Sequence, residues 1–113
     1  MRHIMGRKLI VLLLIVFLFL FSGCVTKLKF DEGLWKISNQ CKEDNPRQYM
    51  LEDLKTNFLK IGMPTNDSIK LLGHGIEGQN SINYIIGDEV ADCIFFELLF
   101  EDDRLKDMKI IHG

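Results

Sequence analysis

The chain lacks a hydrophobic run long enough for an ordinary membrane-spanning helix. Its longest unbroken apolar run is the 13 residues from Leu9 to Phe21, whereas a spanning helix needs roughly 20. The run therefore favours an export signal. Counting on through Ser22, Gly23 and Val25 gives a borderline length, so an uncleaved signal anchor stays open as the alternative.

Acidic residues are absent before Asp31. The three basic residues of the leader are Arg2, Arg7 and Lys8. Removing these three from the totals of 14 basic and 16 acidic residues leaves 11 and 16, a net charge of −5 for the rest of the chain. Because phosphate contacts need clustered Lys and Arg, this charge excludes a nucleic-acid-binding function.

Histidine and cysteine are scarce, with three of each. Beyond the leader, His74 and His112 are the only histidines, and no carboxylate stands at a helical ligand spacing from either, so a zinc site is excluded. The four acids between Glu101 and Asp107 lack the spaced oxygens and central glycine of a calcium loop, which favours a solvated hairpin. We therefore predict no metal, cofactor, catalytic residue or small-molecule substrate.

Cys41 and Cys93 leave two interpretations open. In an exported protein they can pair as a disulfide, because the compartment is oxidising. Alternatively, Cys93 is a small residue at the start of a strand and Cys41 is a free surface thiol. The sequence alone does not choose between the two.

The leader has the three-part layout of a secretory signal: a basic start, an apolar centre and small residues at its end. The stretch Phe21-Ser22-Gly23-Cys24 resembles the lipobox of bacterial lipoproteins. The resemblance implies a diacylglyceryl group on the Cys24 sulfur, cleavage before Cys24, and an acyl chain such as palmitate on the new amine. Two or three acyl chains hold a protein durably on a membrane. The predicted divisions are a signal peptide at 1–23, a tether at 24–45 and a domain at 46–113.

The anchor sets the predicted location in the bacterial cell envelope. Val25 follows Cys24 where an inner-membrane retention signal has Asp. In a cell with two membranes we therefore expect the outer membrane, facing the periplasm, and otherwise the cell membrane.

Apolar residues recur every three or four positions in two stretches of the domain. The first predicts an amphipathic helix from Arg47 to Leu59, with Met50, Leu54 and Phe58 on its buried stripe. The second predicts a shorter helix from Thr65 to Leu72.

Beyond residue 80 the apolar period changes to two, which predicts strands. Three are predicted: Ile82 to Ile86, Ile94 to Phe100, and Leu105 to Ile111. Short connections favour an antiparallel meander. The expected fold class is α+β, with two N-terminal helices packed on a three-stranded antiparallel sheet.

The run from Leu59 to Gly73, LKIGMPTNDSIKLLG, resembles the signature of the SmpA/OmlA family, the BamE-like outer-membrane lipoproteins. The shared features are a Gly-Met pair, a short helix and a Leu-Leu-Gly ending. The resemblance extends over roughly Arg47 to Ile111 and implies the BamE-like or BLIP-like fold together with a lipid anchor. It also implies a structural role in outer-membrane assembly or envelope integrity.

Three large side chains are candidates for a partner surface: Trp35, Phe95 and Leu99. Phe95 and Leu99 alternate with the apolar residues that we expect to face the helices, so they lie on the open face of the sheet. The alternative is that residues 25–45, led by Leu34 and Trp35, fold back over them.

The resulting function hypothesis is a non-catalytic, lipid-anchored scaffold that binds another protein of the envelope. An inhibitor or immunity-type module that binds and caps an enzyme is the alternative from a different class.

Overall fold

The computed structural model describes residues 27–113. Three short helices come first, and α2 continues into a π-helical turn. The helices are α1 (Glu32–Ile37), α2 (Arg47–Asp53), the π-turn (Leu54–Phe58) and α3 (Thr65–Leu72). Four strands follow: β1 (Ile76–Gly78), β2 (Ser81–Glu89), β3 (Asp92–Glu101) and β4 (Arg104–His112). They pair antiparallel in chain order as one meander.

The prediction of two helices on a three-stranded sheet is wrong, because the described chain has three helices and four strands. Helix α1 is only six residues long, and one buried residue, Trp35, gives no apolar period. Its start is fixed by Asp31, whose carboxylate accepts a hydrogen bond from the Leu34 N–H at 2.9 Å. Strand β1 contains a single large apolar residue, Ile76, so no alternation marks it.

The segment interpreted as a tether is packed onto the domain from residue 27 onward. Trp35 is fully buried, and its ring lies edge-on to Tyr84 and Phe96, with centroids 5.9 and 6.5 Å away. Phe30 and Leu34 pack against the same core. Burial of apolar surface therefore holds this segment in place.

The predicted helix from Arg47 to Leu59 changes its hydrogen-bond spacing halfway. The Leu59 N–H donates to the Leu54 carbonyl at 2.9 Å, five residues back, as in a π-helix. The wider turn buries Leu59 and leaves Phe58 42% exposed. Phe58 is therefore not part of a fully buried stripe, contrary to the prediction.

The core lies between the helices and one face of the sheet. Its buried members are Trp35, Met50, Leu51, Leu54, Leu59, Leu72, Ile82, Tyr84, Ile86, Phe96, Leu98, Phe100 and Leu105. We call the sheet face that they share the inner face. Two-layer packing of this kind is an α+β architecture.

Arg47 is a buried cation that joins three elements. Its Nε donates to the Trp35 carbonyl at 2.7 Å and its Nη1 to the Ile85 carbonyl at 3.0 Å. Its guanidinium also lies 4.8 Å from the centre of the Trp35 ring. Burial lowers the pKa of Arg47 to about 10. The side chain thus ties α1 and α2 to β2.

A disulfide between Cys41 and Cys93 joins the segment before α2 to the start of β3. The two residues are 52 positions apart in the chain. The crosslink closes a loop that contains α2, α3, β1 and β2.

Candidate protein-binding face

The two faces of the sheet have different neighbours. From Phe95 to Phe100, burial alternates along strand β3, with Phe96, Leu98 and Phe100 buried on the inner face. Phe95 and Leu99 therefore point to the opposite side, which we call the outer face. Among residues 27–113, no outer-face side chain belongs to the core cluster that the helices cover.

An apolar row crosses the outer face at one end. Ile85 of β2, Phe95 of β3 and Ile111 of β4 are direct neighbours in the strand register. All three are half-buried. The Gly113 backbone packs closely on Phe95, since a Cβ at Gly113 would lie 2.7 Å from Cε2 of the ring. The row forms a continuous apolar strip across three strands.

A polar band follows in the middle of the outer face. Asn83, Glu97 and Lys109 are paired across β2, β3 and β4. The Lys109 ammonium lies 3.4 Å from the Glu97 carboxylate, whose side chain is only 14% exposed. Beyond this band, Leu99 lies between Ser81 and Asp107. Apolar residues therefore lie on both sides of a charged pair in the middle of the outer face.

The surroundings of this face are acidic. Residues 76–113, which form the sheet and its turns, contain 9 acidic and 3 basic residues, a net charge of −6. Acids stand at both hairpin ends of β3, with Glu89 and Asp92 at one end and Asp102 and Asp103 at the other. A long-range attraction for basic surfaces follows from this charge.

The structure separates the three residues predicted as a partner surface. Phe95 and Leu99 lie on the outer face as expected. Trp35 does not, because it is fully buried on the inner side. The alternative, in which Leu34 and Trp35 cover Phe95 and Leu99, is not what the structure shows either. Leu34 and Trp35 pack in the core on the inner side of the sheet.

Sequence reasoning missed the residues that complete the outer face: Ile76, Ile85 and Ile111. Ile76 is 54% exposed and is paired with Asn83. Ile85 stands between the buried Tyr84 and Ile86, and Ile111 follows another isoleucine, Ile110, so the face of each depends on the register. Extending the period of two from Phe95 across the neighbouring strands would have found both.

The remaining predicted site residues lie apart from this face or outside the described chain. Cys24 precedes residue 27 and lies outside the described residues. His74 is exposed between α3 and β1, and His112 contacts Glu89, with Nδ1 2.8 Å from the carboxylate. From Lys27 to Gly113, no group of three or more His, Cys, Asp or Glu side chains could hold a metal ion. Within the same range, no helix has the length and hydropathy to cross a membrane.

No family model, curated protein or solved structure matches the chain.

Proposed function

We propose that this chain is a lipid-anchored, non-catalytic lipoprotein of the bacterial cell envelope that binds another protein through the outer face of its sheet. The observation that carries the proposal is the apolar strip of Ile85, Phe95 and Ile111 on a face that no helix of residues 27–113 covers. Contiguous apolar surface of this kind typically marks an interaction site.

The apolar residues and the negative charge of the outer face indicate which kind of protein it binds. Its apolar residues border the Glu97–Lys109 pair, and the sheet half of the chain carries a net charge of −6. The partner that fits is a protein with an apolar contact region surrounded by Lys and Arg. Charge complementarity of this type raises the association rate and selects against acidic partners.

The anchor is the second part of the proposal. The stretch Phe21-Ser22-Gly23-Cys24 supports lipidation at Cys24, and the resemblance to SmpA/OmlA lipoproteins supports a role in outer-membrane assembly or envelope integrity. The small residues before Cys24 suit a protease that must approach the backbone, and the thiolate is the nucleophile that takes the lipid.

Site-specific photo-crosslinking in cells tests the binding face. A photoreactive residue at Leu99 should give one discrete crosslinked product, whereas the same residue at Asn66, exposed on α3, should not. Adding Ile111→Glu should abolish the product from position 99. Ile110→Glu is the matched control, because Ile110 is adjacent in β4, is 46% exposed and is paired with Phe96 of the inner face.

The outcome also identifies the class of partner. A basic envelope protein in the product supports the proposal. Equal crosslinking from positions 99 and 66, or none from position 99, contradicts it.

The turn between β2 and β3 favours a second candidate, an inhibitor or immunity-type module. Val90 is 93% exposed at its tip, and Val90 and Ala91 have φ values of 44° and 69°. A β-branched residue in this left-handed region is strained, and such strain is found at functional sites. A projecting tip of this kind can enter the cleft of an enzyme.

Crosslinking from position 90 separates the two candidates. A single soluble enzyme captured from position 90 and not from position 99 favours the inhibitor. With the photoreactive residue moved to the exposed Asp92, Val90→Gly relieves the backbone strain at the tip. Loss of the product from position 92 with an unchanged or raised melting temperature would show that the Val90 side chain makes the contact.

A further inference from the structure

The beginning of the described chain is fixed along α2. The Lys27 ammonium lies 2.7 Å from the Glu52 carboxylate, and the Leu28 N–H donates to the Tyr49 carbonyl at 2.9 Å. The Phe30 N–H donates to the Asp53 carboxylate at 2.7 Å. The direction from which the chain enters the domain is therefore set by three contacts.

The point of entry lies very close to the proposed anchor. Only Val25 and Thr26 separate Cys24 from Lys27. Three residue steps span at most about 11 Å even when fully extended. If Cys24 carries lipid, as proposed above, the surface around Lys27 must therefore lie against the lipid headgroups.

The composition of that surface suits a bilayer. We call it the anchor-proximal surface, and it consists of Lys27, Leu28, Lys29, Glu52 and Phe58. Its two lysines are exposed and are balanced by the carboxylates of Glu52 and Asp53 beside them, and Leu28 and Phe58 are 38% and 42% exposed. Phe58 belongs to it because its ring packs on Phe30, with centroids 4.9 Å apart. A surface without net charge that exposes apolar side chains can rest on lipid headgroups, and an anionic membrane does not repel it.

The charge of the whole domain points the same way. Residues 27–75, which contain the helices, have 8 basic and 7 acidic residues, a net charge of +1. Residues 76–113 carry −6. Because Arg47 is buried, the other charges of the first part sum to zero. An anionic surface therefore repels the second part and not the first, within the Debye length of roughly 8 Å at physiological ionic strength.

We infer that the anchor-proximal surface docks on an anionic phospholipid bilayer, with the helical layer next to the membrane and the outer face of the sheet directed into the aqueous space. This inference rests on the proposed lipidation of Cys24. Helix α2 and the core it contributes to lie on the inner face of the sheet, so a membrane at α2 leaves the outer face free for a protein partner.

Quenching of site-specific labels tests the orientation. Lipidated protein carrying Thr56→Cys or Lys109→Cys is labelled with a fluorophore under non-reducing conditions, which keep Cys41 and Cys93 paired. Thr56 is exposed beside Leu28, and Lys109 is exposed on the outer face. In vesicles of phosphatidylethanolamine and phosphatidylglycerol containing headgroup nitroxide lipid, we expect several-fold stronger quenching at position 56.

Charge reversals supply the matched control. Lys29→Glu should lower the quenching at position 56, because it places an acid on the anchor-proximal surface. Lys106→Glu changes the net charge equally but lies on β4 beside Glu101, and it should leave that quenching unchanged.

The outcomes separate this inference from the anchor. Equal quenching at both positions, or stronger quenching at position 109, in lipidated protein that floats with the vesicles overturns the orientation while the anchor stands. Protein whose mass shows no lipid and that does not float with the vesicles overturns the anchor and the orientation with it.

Discussion

Ser68 in α3 is fully buried, and its hydroxyl has no hydrogen-bond partner among residues 27–113. A buried hydroxyl without a partner costs about 1–3 kcal/mol of desolvation. We therefore expect Ser68→Ala to raise the free energy of unfolding by about 1 kcal/mol, as measured by urea denaturation.

Ser38 is the matched control for this prediction. Its hydroxyl donates to the Leu34 carbonyl at 2.6 Å at the end of α1. Ser38→Ala removes that bond and should lower the free energy of unfolding by about 1 kcal/mol. The same sign of change for both serines would contradict the account.

Asp53 makes the stability of the domain depend on pH. Its carboxylate accepts hydrogen bonds from the Phe30 backbone at 2.7 Å and from the Asn57 amide at 2.6 Å, and these hold the pKa of Asp53 below its ordinary value of 3.8. Its contribution is present above the unfolded pKa and is lost as the pH falls through the lower folded pKa. Melting temperatures of Asp53→Asn should fall less steeply below about pH 4 than those of wild type.

The exposed Asp44 provides the comparison. Asp44→Asn should keep the acid dependence of the wild type. Identical pH profiles for Asp53→Asn and wild type would show that the two hydrogen bonds do not stabilise the folded state.

At the scale of elements, Arg47 should matter because it is the shared partner of α1 and β2. Arg47→Met leaves the Trp35 and Ile85 carbonyls without their donors. Since each unsatisfied buried group costs about 1–3 kcal/mol, we expect a loss of about 2–4 kcal/mol in the free energy of unfolding. Arg104→Met is the control, because the bond from Arg104 to the Gly62 carbonyl is exposed and its loss should cost about 1 kcal/mol or less. Equal losses would contradict this role.

The disulfide should contribute more than any single hydrogen bond. For Cys41 and Cys93, which are 52 residues apart, the loop-entropy relation gives about 4 kcal/mol. We expect the free energy of unfolding of the double variant Cys41→Ser/Cys93→Ser to fall by up to that amount. The free energy of unfolding of the wild type should fall equally in the presence of a reductant. Unchanged urea midpoints in both cases would show that the crosslink does not constrain the unfolded chain.

A helix or strand could be predicted when its own residues carry the apolar spacing that defines it. The predicted helix from Thr65 to Leu72 agrees with α3, because its apolar spacing and Gly73 are in the sequence. Helix α1 and strand β1 were missed, since single residues, Trp35 and Ile76, mark them and distant partners hold them.

The same reasoning explains the candidate site. Phe95 and Leu99 were placed by alternation within one strand, which is a local property. Trp35 was misplaced, because its burial depends on Tyr84 and Phe96, about 50 and 60 residues further along the chain. The positions of Ile85 and Ile111 beside Phe95 depend on the pairing of three strands, which the local sequence does not reveal.

At the scale of the whole molecule, the domain has two chemically different sides. The helical part carries +1 and begins next to Cys24, whereas the sheet part carries −6 and presents the apolar strip. With lipid on Cys24, we therefore propose that the domain lies on a membrane by its helices and presents its sheet to a protein partner.

The mass of the mature protein tests this account most directly, because both the location and the orientation depend on Cys24. Protein extracted from membranes should begin at Cys24 and exceed the mass of residues 24–113 by that of the attached lipid. Cys24→Ala should remain unprocessed and carry no lipid. Wild-type protein at its full unprocessed mass, without lipid, would contradict the central claim.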